Sequence, residues 1–290
     1  MCGIFGAISP KNKIISQIIT KKQFNNFIKH TELRGRDSSG YTLLKQDSIK
    51  VIKRDKKLSN IFNYDKAKKS NICFGHSRLV TNGIKDNQPV LLDDNILVHN
   101  GIIVNHDDIY KKNKFKREYE IDSEVILTIF NHSRLKDLSI QESIDEVFRT
   151  CVGTISCVLF LKNENKIILF SNNGSLYLGE LNGALFFSSE EYPLKQLSCN
   201  KITKIYKTKI IDLNNHINHF DLPIIVDEKN SRILNLIPEL GVLDGKEKLL
   251  EYNTPDLIRC TKCILPETMP FIKFNSYGVC NYCTNYKIRN

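Results

Sequence analysis

Apolar residues fall into short dense runs separated by charged or glycine- and asparagine-bearing breaks. CGIFGAI, residues 2–8, has the length and density of a buried strand. From about Ser16 to His30 the spacing becomes helical, with Ile18, Ile19, Phe24, Phe27 and Ile28 on one face. The glycine-bracketed polar stretch RGRDSSG (34–40) predicts a loop. YTLL and IKVIK predict a strand pair, and KRDKK (53–57) with DKAKK (65–69) a solvated loop. ICFGHSR (72–78) and ILVHN (96–100) read as strands that end in polar residues. A helix begins near Asp122 with Val125, Ile126, Ile129 and Phe130 on one side, and another runs from about Ile140 to Arg149. TISCVLFL, KIILFSN, SLYLGEL and ALFFSSE are four successive strand candidates. From Leu222 to Ile258 the pattern loosens into a linker with room for one short helix.

A chain of 290 residues accommodates one large domain and a small one, and 41% hydrophobic residues is ordinary for a globular protein. No apolar run reaches bilayer-spanning length and no secretory leader pattern opens the chain, so a cytoplasmic protein without a membrane partner is expected. The formal charge of +10 raises nucleic acid as a partner. Scattered lysines and the absence of tryptophan argue against it as the main function.

The nine cysteines change the picture more than the charge does. Cys73, Cys151, Cys157 and Cys199 are dispersed and read as small buried hydrophobes. Cys260, Cys263, Cys280 and Cys283 form two CxxC pairs separated by residues 264–279. Two such pairs complete a closed thiolate tetrahedron, the pattern of a structural Zn2+ site in a zinc ribbon; iron or a reduced cysteine-rich turn are the alternatives. Cys2 is different again. Removal of Met1 would leave its sulfur as a nucleophile beside its own α-amino group, which titrates near about 8 and can serve as base.

CGIFG is followed in order by RGRDSSG, GHSRLVTNG (75–83), VHNGIIVNH (98–106) and IDSEVI (121–126). Together these motifs resemble the class II glutamine amidotransferases, the N-terminal-nucleophile glutaminase domain of asparagine synthetase, glucosamine-6-phosphate synthase and amidophosphoribosyltransferase. The resemblance implies an α+β fold, a four-layer αββα sandwich over residues 2–221. It then implies a linker at 222–258 and a zinc-ribbon-like segment at 259–290. It also implies that Cys2 attacks the side-chain amide of L-glutamine, with Asn100 and Gly101 as the oxyanion hole. Arg78 would hold the substrate carboxylate, Asp122 its ammonium, and Arg34 would organise the pocket. Read singly, HNG could be a tight turn, RGRD a charged surface loop and Asp122 a helix cap. His76 and His99 are expected to be hydrogen-bonded structural residues. Where the family often reads HTRWATHG this chain has HSRLVTNG, so Leu79 and Asn82 depart from the pattern.

The tail, RCTKCILPETMPFIKFNSYGVCNYC, resembles the opening of the N-acetyl-sugar amidotransferases of surface-polysaccharide biosynthesis. There it precedes an ATP-pyrophosphatase domain, so ATP and Mg2+ would belong to a synthetase domain or subunit outside residues 1–290. The competing expectation is a non-catalytic scaffold whose zinc-ribbon module docks a separate synthetase.

Overall fold

In a computed structural model, residues 2–81, 86–214, 222–229 and 257–287 are described. The chain divides into two compact units, Met1–Ile233 and Leu234–Asn290.

The first unit is built on two sheets. The larger one contains β1 (Gly3–Ile8), β2 (Ser38–Leu44), β3 (Ile49–Arg54) and β4 (Ile72–Arg78), with four strands from later in the chain. The smaller one begins with β5 (Val90–Leu92) and β6 (Asn95–His99), and a separate two-stranded ribbon pairs β7 (Ile102–Ile103) with β8 (Gly153–Thr154). β9 (Ser156–Leu161), β10 (Lys166–Ser171) and β14 (Lys207–Asp212) complete the five-stranded sheet in the order β14-β10-β9-β6-β5. With β11 (Tyr177–Leu181), β12 (Ala184–Ser188), β13 (Asn200–Lys204) and β15 (Ile224–Lys229), the larger sheet runs β13-β11-β12-β1-β4-β2-β3-β15.

The dense apolar runs have a simple cause: most central strands are covered on both faces. Along β1, Ile4 and Ile8 enter the layer between the sheets, where they join Phe74, Val98, Val158, Phe160, Ile167 and Leu169. Phe5 and Ala7 point the other way, against Phe24, Phe27 and Ile28 of α1 (Lys21–Glu32). The outer face of the five-stranded sheet, through Leu97, Leu159 and Phe170, packs on α5 (Glu124–Arg134) and α6 (Ile140–Thr150). The layers are therefore helix, sheet, sheet, helix. Short helices α2 (Leu58–Ile61), α3 (Tyr64–Ala67), α4 (His106–Asn113) and α7 (Glu191–Gln196) fill the connections. The second unit contributes α8 (Asn281–Asn285).

Four expectations need revision. The first helix starts at Lys21, not near Ser16, because Thr20 and Gln23 form a capping box; Ile18 and Ile19 reach the core from a turn preceding it. The predicted loop at 34–40 already becomes strand β2 at Ser38. Residues 224–229, expected in the linker, form β15, which extends the larger sheet in parallel with β3. The short helix allowed there falls outside the described residues. Lys53, expected in a solvated loop, is 2% exposed and lies 3.2 Å from Glu228 Oε2 across that same strand pair. A parallel edge strand thus converts a charged stretch into a paired, half-covered one.

Burial also decides the histidines. His76 is completely buried and desolvation, with Arg78 nearby, holds it well below its ordinary value of 6.5. His99 is lowered by burial too, against an opposing pull from Asp122. Both stay neutral in the folded state at pH values where an unfolded chain takes up protons. Stability is therefore fully present above about pH 6.5 and falls as the pH drops below it, by up to about 1.4 kcal/mol per pH unit for each histidine. The urea midpoint should decrease measurably between neutral pH and pH 5; an unchanged midpoint would contradict the burial of both rings.

Candidate active site and a four-cysteine cluster

β1 is hydrogen-bonded on both sides, to β12 and β4, so the chain reaches residue 2 already fixed in the middle of a sheet. Cys2 is 8% exposed. Its backbone N–H donates to Asn100 Oδ1 at 3.1 Å, and its thiol sits 3.6 Å from the Leu79 carbonyl oxygen. Its own carbonyl accepts from Arg34 Nε at 2.7 Å, and Arg34 is ion-paired with Glu190. Burial pushes the Cys2 thiol up from its ordinary value; the Leu79 backbone and the Arg78 guanidinium pull against this, and Asp122 adds to it. Arg78 and Asp122 are therefore close enough to act electrostatically on the Cys2 sulfur.

Asn100 and Gly101 leave the end of β6. The Asn100 backbone is paired with Ser156 in both directions, N–H to O at 2.8 Å and O from N–H at 3.2 Å. A side chain at Gly101 would collide with the Thr154 carbonyl and come within 2.6 Å of His99 Nε2, so the close approach requires glycine. HNG is not a hairpin turn, since β6 pairs with β5 and β9 while β7 pairs with β8. Asp122 does not cap α5 either. Its Oδ2 accepts from the Ile103 N–H at 2.8 Å, tying it to the segment just after Gly101, and Ser123 occupies the cap position.

RGRD is likewise no loose surface loop. Gly35 lies directly against the Arg78 backbone, Asp37 N–H donates to the Arg78 carbonyl at 3.0 Å, and Asp37 Oδ2 accepts from Val80 N–H at 2.8 Å. Arg78, 2% exposed, donates through its guanidinium to the Asp86 carbonyl. Leu79 is 43% exposed, and Asn82 lies outside the described residues.

Sequence reasoning missed several polar partners. Ser189 Oγ accepts from Ile4 N–H at 2.8 Å and from Asn100 Nδ2 at 3.5 Å, and Glu190 anchors Arg34. Gln88 and Ser123 are both buried behind Asn100. The one available signal was the polar ending SSEE on the strand ALFFS; nothing local marks Gln88.

In the second unit the four cysteines converge, their sulfurs all within 4.8 Å of one another. Cys263 and Cys280 are 3.6 Å apart, Cys260 and Cys283 4.0 Å. Backbone N–H groups point at the sulfurs, from Lys262 and Cys280 to Cys260 Sγ and from Cys283 to Cys280 Sγ. Burial pushes the Cys260 thiol up, but those N–H donors outweigh it and bring the thiol down to about 6. Cys283, crowded by the other three sulfurs, is pushed up to about 12. Such a cluster cannot ionise fully without a cation among the sulfurs, and four converging thiols are a donor set that fits a metal ion. Cys73, Cys151 and Cys157 are buried in the first unit and Cys199 half-buried. No described helix is long and apolar enough to cross a membrane.

A family model described as a glutamine amidotransferase domain matches residues 76–196. The glutamine–fructose-6-phosphate aminotransferase (isomerizing) of Buchnera aphidicola subsp. Baizongia pistaciae is 32% identical over 226 residues, 74% of this chain and 34% of that protein. The 7-cyano-7-deazaguanine synthase of Saccharolobus solfataricus is 26% identical over 254 residues, 81% of this chain and 53% of that one. The chain thus spans 34% and 53% of the length of these two curated relatives. Among solved structures, the glutamine phosphoribosylpyrophosphate amidotransferase from B. subtilis, complexed with ADP and GMP, superposes with a TM-score of 0.58 at 17% identity. That superposition covers 73% of this chain and 47% of that one, a likeness of fold. With a sandwich of this type, a matched segment running from His76 to the end of α7, and a buried cysteine at residue 2 beside an Asn-Gly pair, the first unit belongs to the class II glutamine amidotransferases.

Proposed function

We propose that the first unit hydrolyses L-glutamine to glutamate and ammonia, and that an ATP-dependent synthetase domain or subunit consumes the ammonia. Met1 is removed and Cys2 becomes the N-terminus. Its α-amine takes the thiol proton, directly or through one water, and Sγ attacks the carbon of the substrate's side-chain amide. Asn100 Nδ2 and the Gly101 N–H meet the oxyanion that forms; fixed donors of this kind contribute about 3–4 kcal/mol each. The tetrahedral intermediate collapses, the protonated amine gives its proton to the leaving nitrogen, and ammonia departs. A glutamyl thioester remains on Cys2. Water, activated by the same amine, cleaves it to glutamate and restores the thiol. Arg78 pairs with the substrate α-carboxylate and Asp122 with its α-ammonium, which selects the free amino acid. Arg34 holds the Cys2 carbonyl and so orients the nucleophile.

The observation that carries this reading is the 3.1 Å contact between Cys2 N and Asn100 Oδ1. It turns one carboxamide into a two-sided device, with oxygen toward the future amine and the NH2 group available for an oxyanion. The burial-raised thiol supports it too, because such a thiol needs a base at hand.

For the rest of the chain we propose a glutaminase domain that takes in β15, with a connecting stretch after it, and a structural Zn2+ held by Cys260, Cys263, Cys280 and Cys283. ATP and Mg2+ belong to the synthetase. The tail's resemblance supports a cytoplasmic enzyme that amidates a sugar for surface polysaccharide, and an asparagine-synthetase-like amidation of a carboxylate is the other acceptor chemistry.

Active protein should begin at Cys2 by intact mass, and Cys2→Ala should lower glutaminase kcat by at least about a thousandfold. The partner synthetase should still run on added ammonium salt. Activity in protein that retains Met1 would exclude the amine as base. Below the amine's pKa, about 8, kcat/KM should rise close to tenfold per pH unit and then level off; a flat profile from pH 6 to 8 would rule the mechanism out. Metal analysis should return one zinc per chain, lost in Cys260→Ser or Cys280→Ser, with glutaminase activity in the first unit retained.

A further inference from the structure

The Asn100–Gly101 pair is held from behind by a buried polar hub of which the mechanism above uses Asp122 alone. Gln88, His99, Asp122 and Ser123 are 3%, 1%, 3% and 1% exposed. Gln88 spends its whole carboxamide on it. Oε1 accepts from the His99 N–H at 2.6 Å, while Nε2 donates to the His99 carbonyl at 3.0 Å and to Ser123 Oγ at 3.2 Å. Gln88 therefore pairs with His99 as a neighbouring strand residue would, on the residue immediately before Asn100.

The His99 ring lies under Gly101 and is fixed at both nitrogens. Nε2 is 3.0 Å from the Thr154 carbonyl and Nδ1 is 2.9 Å from Ser123 Oγ. A carbonyl only accepts, so Nε2 carries the proton, and a neutral ring then leaves Nδ1 as acceptor. The Ser123 O–H must donate to Nδ1, and its oxygen lone pairs receive Gln88 Nε2. The Ser123 proton thus goes to the nearer acceptor, Nδ1 at 2.9 Å, and not to Asp122 Oδ1 at 3.4 Å. Ser123 Oγ also lies 3.4 Å from Asp122 Oδ1, and Asp122 Oδ2 accepts from Ile103 N–H on the far side of Gly101. The oxyanion pair is thus clamped on its preceding residue, beneath its glycine and just after it.

Resting on the glutaminase reading, we propose that Gln88 and Ser123 are positioning residues for glutamine hydrolysis: through His99 they hold the Asn100 and Gly101 donors where the oxyanion forms. The mechanism above gives neither of them a part at the Cys2 sulfur or at the charged ends of the substrate. Their loss acts on the transition state and leaves substrate binding and thiol chemistry as they were.

The test uses the full chain with glutamine, in four variants. Gln88→Glu keeps size but replaces the donor facing the His99 carbonyl with an acceptor. Gln88→Leu removes the polar group, Ser123→Ala removes the hydroxyl, and Ser123→Thr keeps it. Misplaced donors should lower kcat by about 10- to 100-fold in the first three, with KM for glutamine within about twofold of wild type. The rate at which iodoacetamide alkylates Cys2, which needs no oxyanion hole, should be unchanged. Ser123→Thr should recover most of the kcat that Ser123→Ala loses. Wild-type kcat in Gln88→Glu and Ser123→Ala overturns the proposal, as does a rise in KM alone. So does a parallel loss of the iodoacetamide rate, which would place the effect on the thiol or the fold, or a Ser123→Thr enzyme no better than Ser123→Ala. A wild-type protein without glutaminase activity would instead defeat the glutaminase reading, a result the variants cannot mimic.

Discussion

The site depends on one hydrogen bond, that between Cys2 N and Asn100 Oδ1, because it joins the two sheets of the sandwich at the cysteine proposed as nucleophile. β1 belongs to the eight-stranded sheet and β6, which leads into Asn100, to the five-stranded one. The distance between residue 2 and the proposed oxyanion donors, Asn100 and Gly101, is therefore set by how the sheets pack, through Ile4, Phe74, Val98 and Val158. A chain terminus ordinarily frays. This one cannot, since β1 is laddered to β4 and β12 and Arg34 grips the Cys2 carbonyl. Rigid placement of the attacking atom relative to the oxyanion donors is what a preorganised acyl-transfer site requires.

The same burial that fixes the geometry makes the charges matter. Arg78 and Asp122 are each nearly inaccessible, yet they come from different layers, one from the end of β4 and the other from just before α5. Each is anchored by the backbone of a neighbouring segment: Arg78 by the Asp86 carbonyl, Asp122 by the Ile103 N–H. Opposite charges held apart by fixed backbone suit a substrate with a carboxylate and an ammonium on one carbon. Buried charges are screened less than a surface pair, which is what the proposed grip on a zwitterion asks of them.

Much of this was legible in the chain. Strands buried on both faces lose the alternation of half-buried ones and show up as continuous runs, which is why CGIFGAI and TISCVLFL could be read directly. The chemistry-bearing turns follow such strands and carry residue types that few other roles would demand. What escaped was non-local. Lys53 reads as solvent-facing until β15 arrives and brings Glu228, 175 positions later in the chain, beside it. Glu190 and Arg34 are separated by 156 positions, Gln88 and Ser123 by 35. No periodicity encodes contacts of that kind. The start of α1 was misplaced for a local reason instead: the apolar face begins before the capping box that sets where the helix can begin.

The two units are stabilised by different physics, and this bears on why a metal belongs in one of them. The first unit has three extensive apolar clusters. Among the described residues of the second, Cys260 and Cys280 alone are buried, while Ile264, Phe271, Tyr277 and Tyr286 are each more than half exposed. Its backbone hydrogen bonds make small turns and isolated bridges near the sulfurs, such as Cys260 N–H to the Leu265 carbonyl and Thr261 N–H to the Gly278 carbonyl. A segment with so little apolar surface to bury cannot offset the entropy of ordering its chain. Binding of a cation by four thiolates supplies about 10–16 kcal/mol in small domains of this type, enough to take the place of a core. With a cation bound, the four cysteines would be the structural counterpart of the apolar layers in the first unit.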